Sequence, residues 1–161
     1  METPIRILLI LVAVAGVVHG QGHLDFSGTW VVVPERSVWY DNGRPIDVTV
    51  FGERFTAEQT GQILSVAIDN ERGFKWRYRL DGVPSRNAPL GPNGPQETSS
   101  ITAWTGSTLI IKTTGATNHL GRVEGIETRR GLRLNEDGTL RVEAPWGVNG
   151  AMIGSVYSRE R

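Results

Sequence analysis

The sequence predicts an all-β protein, a single antiparallel up-and-down β-barrel of about eight to ten strands. Three observations carry this. No sustained helical period follows the first 20 residues. Apolar residues alternate with polar ones instead, which is the period of a half-buried strand. Gly-bearing turns separate these runs at short intervals, and short links join antiparallel neighbours.

The elements follow in order. Residues 1–20, METPIRILLILVAVAGVVHG, carry one early basic residue, Arg6, and an apolar run from Ile7 to Val18. That run is about a dozen residues, the length of a signal-peptide core and short of the roughly 20 that a bilayer span needs. Val18 and Gly20 are small enough for the −3 and −1 positions, so cleavage is expected after Gly20. The protein is then expected to be secreted or periplasmic, with no integral membrane span after cleavage. An uncleaved anchor is the alternative, since Glu2 offsets Arg6.

Residues 21–161 then make one domain, long enough to bury a core unaided. The chain has no Cys, which excludes disulfides, lipoprotein acylation, thiolate chemistry and Cys-ligated metal. Lys+Arg and Asp+Glu are both 17, a balance that gives no reason to expect a nucleic acid or an anionic membrane as partner.

Strands are expected at 28–33, 46–51, 53–59, 62–69, 74–80, 98–105, 107–114, 125–134, 139–145 and 151–159. The clearest is FKWRYRL, with Phe74, Trp76, Tyr78 and Leu80 on one face and Lys75, Arg77 and Arg79 on the other. TLRVEA repeats the pattern with Leu140, Val142 and Ala144. Thr60-Gly61, Thr105-Gly106 and the stretch Glu136–Gly138 mark hairpins, each with a Gly where positive φ is needed. Two connections are long, Glu35–Pro45 and Asp81–Glu97. In the second, Pro84, Pro89, Pro92 and Pro95 argue against regular structure, and a loop of that length is functional or mobile.

The front segment Ser27–Trp30, opening a strand that ends on Pro34, is followed by Trp104–Thr114, Leu134–Glu143 and Val156–Arg159. These four segments, in this order, resemble bacterial exported lipocalin-like proteins of the calycin superfamily, a group of uncharacterised function. The resemblance covers most of residues 21–161. It implies that Gly28-x-Trp30 opens the first strand at the barrel base and that a late basic residue, Arg159 or Arg161, stacks over the Trp30 ring. Gly28, Trp30 and Arg159 are thus implied to close the barrel.

Candidate site residues come from the aromatics and one Arg. Trp76, Tyr78, Trp104 and Tyr157 fall on strands and either fill the core or line a ligand cavity. Arg130 shares a face with Ile126, Thr128, Leu132 and Leu134. If that face is inward, Arg130 puts a carboxylate-binding guanidinium in the lumen. A bulge after Gly131 would turn it outward. Trp39, Tyr40 and Trp146 lie in polar connections, where they are candidate rim aromatics.

His23 and His119 are far apart and make no metal motif, and Glu124 with Glu127, or Asp69 with Glu71, read as surface charge. No metal or cofactor is expected, and no nucleophile elbow is present. Three functions follow: a binder of a small apolar or amphipathic ligand in the lumen, a surface recognition module for a carbohydrate or protein using loop aromatics, and an enzyme. The last has the least support, because no convergent titratable set is visible.

Overall fold

The computed structural model describes residues 24–37, 39–41, 44–46, 49–69, 73–91, 94–119, 122–146 and 151–161. Alternation read along the chain becomes the inside and outside of a wall. In β6 (Lys75–Arg79) Trp76 and Tyr78 are buried while Lys75, Arg77 and Arg79 are exposed. The other strands are β1 (Gly28–Val32), β2 (Trp39–Asp41), β3 (Arg44–Ile46), β4 (Arg54–Thr60), β5 (Ile63–Ile68), β7 (Ser85–Asn87), β8 (Leu90–Gly91) and β9 (Gly94–Pro95). They continue with β10 (Thr98–Thr105), β11 (Thr108–His119), β12 (Arg122–Leu134), β13 (Leu140–Trp146) and β14 (Ala151–Arg159). A 3-10 turn, Pro34–Arg36, follows β1.

Ten strands form one sheet in the order β6-β5-β4-β1-β14-β13-β12-β11-β10-β7, and its ladders are antiparallel. The order is an up-and-down meander in which the first strand pairs with the last. Turns at Gly61, Gly106 and Gly138 have φ of 56°, 58° and 79°, the positive values for which the sequence supplies glycine.

The two edge strands, β6 and β7, are consecutive in the chain and meet without a backbone ladder. Side chains from the inner wall replace it. Asn87 accepts from the Arg77 N–H through Oδ1 at 2.8 Å and donates to the Arg77 carbonyl through Nδ2 at 3.0 Å. Ser85 Oγ accepts from the Arg79 N–H at 2.7 Å, and Thr102 Oγ1 donates to the Arg79 carbonyl at 2.5 Å. Four backbone groups of an edge strand are thereby satisfied where a neighbouring strand would have served.

One end of the barrel, its base, is closed by the first and last strands. Trp30 is fully buried, pairs in register with Arg159, and donates from Nε1 to the Phe26 carbonyl at 2.9 Å. The Arg159 guanidinium lies 4.8 Å from the Trp30 ring centroid. Gly28 has φ of 139°, and a Cβ there would stand 3.1 Å from the Arg159 side chain. Trp104 packs at the same end, stacked on Phe26 with centroids 6.0 Å apart.

At the base and next to it the interior is dense. Tyr78, Tyr157, Leu109, Leu132, Leu140 and Val142 expose at most 1% of their surface, so none borders a void wide enough for a water molecule.

Three expectations need correction. Of the strand expected at 46–51, Ile46 ends β3, residues 47 and 48 lie outside the described residues, and no strand is formed over 49–51, where Phe51 turns into the barrel next to Gly52, whose φ is 71°. The connection Asp81–Glu97 carries β7, β8 and β9, because Pro84 and Pro89 flank β7 rather than interrupt it. The hairpin expected from 107–114 and 125–134 runs on as β11 and β12, pairing Gly115 with Ile126 and Ala116 with Gly125. That extension is exposed at Gly125, Ile126, Glu127 and Thr128, so it carries no apolar alternation to read.

Candidate functional site at the barrel mouth

In a meander, connections alternate between the two ends. The tight turns β4–β5, β10–β11 and β12–β13 lie at the base, so both long connections, β1 to β4 and β7 to β10, belong to the opposite end, the mouth. Trp39 and Tyr40 form part of β2 within the first connection, and Trp146 ends β13 at the mouth. The side chains of Trp39, Tyr40 and Trp146 lie outside the described residues.

Pairing of β12 with β11 runs without a bulge through Gly131, which faces Ile110, while the ladder to β13 ends at Gly131 opposite Glu143. Arg130 therefore pairs with buried Ile111 and faces inward with Leu132. Its guanidinium lies 5.3 Å from the Phe51 ring centroid. Among the described residues no carboxylate forms an ion pair with it.

The wall beside Arg130 is polar but self-satisfied. Besides the seam bonds of Ser85, Asn87 and Thr102, Thr98 Oγ1 donates to the Asn87 carbonyl at 3.2 Å. The Ser100 and Thr113 hydroxyls share a hydrogen bond of 2.8 Å. Arg130 differs: it offers five N–H donors and is stacked on a hydrocarbon ring.

Phe51 had no strand period to mark it, and sequence reasoning missed it. It is fully buried, edge-on to Phe55 at 5.0 Å, and Phe55 is edge-on to Tyr157 at 4.9 Å. Two inward side chains of β14 hold its backbone. Val50 N–H donates to Ser155 Oγ at 3.1 Å, and Phe51 N–H donates to Tyr157 Oη at 3.0 Å. Tyr157 Oη in turn donates to the Gly52 carbonyl at 3.1 Å. Burial pushes the Tyr157 phenol pKa up from its ordinary, already alkaline value.

The expected site residues therefore divide. Arg130 and Tyr157 converge on the segment Val50–Gly52. Trp76 and Tyr78 stack on one another at 6.2 Å along β6, with Trp76 toward the mouth. Trp104 stands at the base, apart from Arg130. A cleft of about 540 Å³ opens on the rim, lined by Arg86, Asn87, Glu97, Thr98, Ser99 and Thr114, among others.

Glu127 pairs with Lys112 at 3.0 Å and Asp69 with Arg54 at 3.7 Å, both on the exposed surface. His119 ends β11 rather than lying in a loop; its side chain, that of Glu124, and all of Glu71 and His23 lie outside the described residues. The same holds for residues 1–20 and the cleavage point expected after Gly20. Among the described residues, no group of three or more His, Asp or Glu is placed to hold a metal. None of their helices is long and apolar enough to cross a membrane.

No protein-family model matches the chain, and no curated protein matches it. Fold and mouth together define a class: an antiparallel barrel closed by a Trp–Arg stack at its base, with an inward guanidinium at its mouth that has no carboxylate partner among the described residues.

Proposed function

We propose that the protein is an exported, lipocalin-like barrel of the calycin kind that binds a small amphipathic ligand at its mouth, through a carboxylate on Arg130. One observation carries this reading: Arg130 faces inward, half-buried, over an aromatic ring, without an anionic partner among the described residues. A half-buried guanidinium is stabilised by a bidentate acceptor, and a carboxylate fits that fork. The surrounding hydroxyls already bond to one another, so they do not compete for it.

Titration calorimetry with 3-phenylpropanoate and octanoate tests it. A charge-assisted hydrogen bond contributes about 1.5–3 kcal/mol, so Arg130→Gln weakens binding about tenfold to a hundredfold. No heat with either acid, or equal affinity in the variant, refutes the reading.

A surface-recognition role is the second reading, favoured by the backbone placement of Trp39, Tyr40 and Trp146 at the same end of the barrel. It predicts that Trp39→Ala with Trp146→Ala abolishes retention on an immobilised polysaccharide while octanoate binding persists.

A further inference from the structure

We infer that Phe51 is the resident occupant of this mouth site, and that the ligand is a carboxylate bearing a single aromatic ring, which displaces Phe51 from beneath Arg130. The inference rests on the proposed Arg130 site and specifies both its ligand and its gate.

Room is the first argument. Deeper in the lumen Tyr78, Tyr157, Leu109 and Leu132 border no water-sized void. Those side chains leave no apolar space on the base side of Arg130 for a ligand whose anionic group meets it. The group in contact with Arg130 is the Phe51 ring. Its departure opens a volume of one phenyl group, lined by Phe55 and by the hydroxyl-bearing edge of Tyr157.

Attachment is the second. Strands of the barrel are held by continuous ladders, and even β6 has four side-chain bonds at its free edge. The segment Val50–Gly52 belongs to no strand. Beside the contacts of the Phe51 ring with Phe55 and Arg130, it is held inward by three hydrogen bonds to two side chains, Ser155 and Tyr157. An element held this way opens at lower cost than its neighbours. An arylalkanoate in its place keeps a ring in the pocket and supplies the anion that Phe51 lacks.

The consequence is a competition between Phe51 and ligand. Apparent affinity is reduced by the fraction of molecules in which the segment is out. Tyr157→Phe removes two of the three bonds and leaves the ring volume in place. At the usual net strength of neutral hydrogen bonds, it shifts the equilibrium outward about fivefold to a hundredfold. Binding of 3-phenylpropanoate should tighten by that factor, and by a smaller one in Ser155→Ala, which serves if Tyr157→Phe fails to fold. At saturation the Val50 and Phe51 amides of the unmutated protein should lose hydrogen-exchange protection, while the Trp30 amide keeps its own.

Lengthening the ligand from hexanoate to decanoate should add no affinity. Unchanged or weaker binding in both loosened variants, or full amide protection at saturation, overturns the displacement. If Arg130→Gln still weakens binding in that case, the mouth site stands and only the gate falls. If neither the unmutated protein nor Tyr157→Phe binds the acid, both fail.

Discussion

Asn87→Ala tests the seam, where the fold departs furthest from an ordinary barrel. Asn87 is 7% exposed and supplies both a donor and an acceptor to Arg77. Truncation deletes two hydrogen bonds, each contributing about 1 kcal/mol, and leaves an amide and a carbonyl of β6 without partners. Water reaches part of this edge, so the full desolvation penalty of about 1–3 kcal/mol per group is not incurred. The expected loss is about 2–4 kcal/mol. At about 2–4 °C per kcal/mol for a chain of this size, the melting midpoint falls by roughly 5–15 °C.

Urea unfolding followed by tryptophan fluorescence gives the free energy, and exchange of the Arg77 amide gives the location. The neighbouring Arg86→Ala, on the exposed face of the same strand, should change stability by no more than about 0.5 kcal/mol. Asn87→Asp sharpens the test. A carboxylate still accepts from the Arg77 N–H but opposes its carbonyl, whereas the neutral acid can donate as Asn87 does. Its folded-state pKa is raised, so the deficit is small below about pH 4, the unfolded value, and grows as pH rises through the folded one. A loss under about 1 kcal/mol in Asn87→Ala, with Arg77 exchange unchanged, would refute the seam as a structural element.

Other outcomes follow from the base and the turns. Trp30→Ala should cost about 3–5 kcal/mol by chemical denaturation, as large aromatic deletions from a packed core do. Unaltered stability with loss of ligand binding would put the binding site at the base. Arg159→Gln should cost only about 0.5–1 kcal/mol, because its stack on Trp30 is exposed on one side. Asp137 should titrate at about 2 by NMR, held down by the Thr139 hydroxyl and N–H and then by Arg36. Its stabilising contribution is present above the unfolded value near 3.8 and is lost as pH falls through about 2. Thr139→Val should move the midpoint up further than Arg36→Ala does.

What could be read in advance was whatever period two encodes. FKWRYRL has one face in the core and one in water, and β6 follows it residue by residue. Gly61, Gly106 and Gly138 are legible because positive φ is a local demand. The seam was illegible for the opposite reason. Ser85 and Asn87 sit in a Pro-rich run with turn composition, and their role depends on β6, which no local pattern connects to them. Phe51 is a similar case. VTVFGERF reads as strand on composition, but β4 begins only at Arg54, and Val50–Gly52 are held by β14 side chains rather than by a ladder. Arg130 could be placed on a face but not on a side, because Gly131 permits a bulge. Continuous pairing with β11 through Ile110–Gly131 and Ile111–Arg130 decided it.

The seam and the Phe51 segment share one device, an inward polar side chain doing the work of a missing strand. Asn87, Ser85 and Thr102 serve β6 in this way, and Ser155 and Tyr157 serve Val50–Gly52. Such a bond satisfies the backbone without fixing a register, so each group can be released singly rather than with a whole ladder. The base has no such freedom: Trp30, Arg159 and Gly28 are locked by strand pairing on both sides of β1. Opening free energies must therefore be lowest around Phe51, intermediate along β6 and highest at Trp30. A barrel graded in this order can admit a ligand at the mouth without loosening the Trp–Arg closure that holds its first and last strands together.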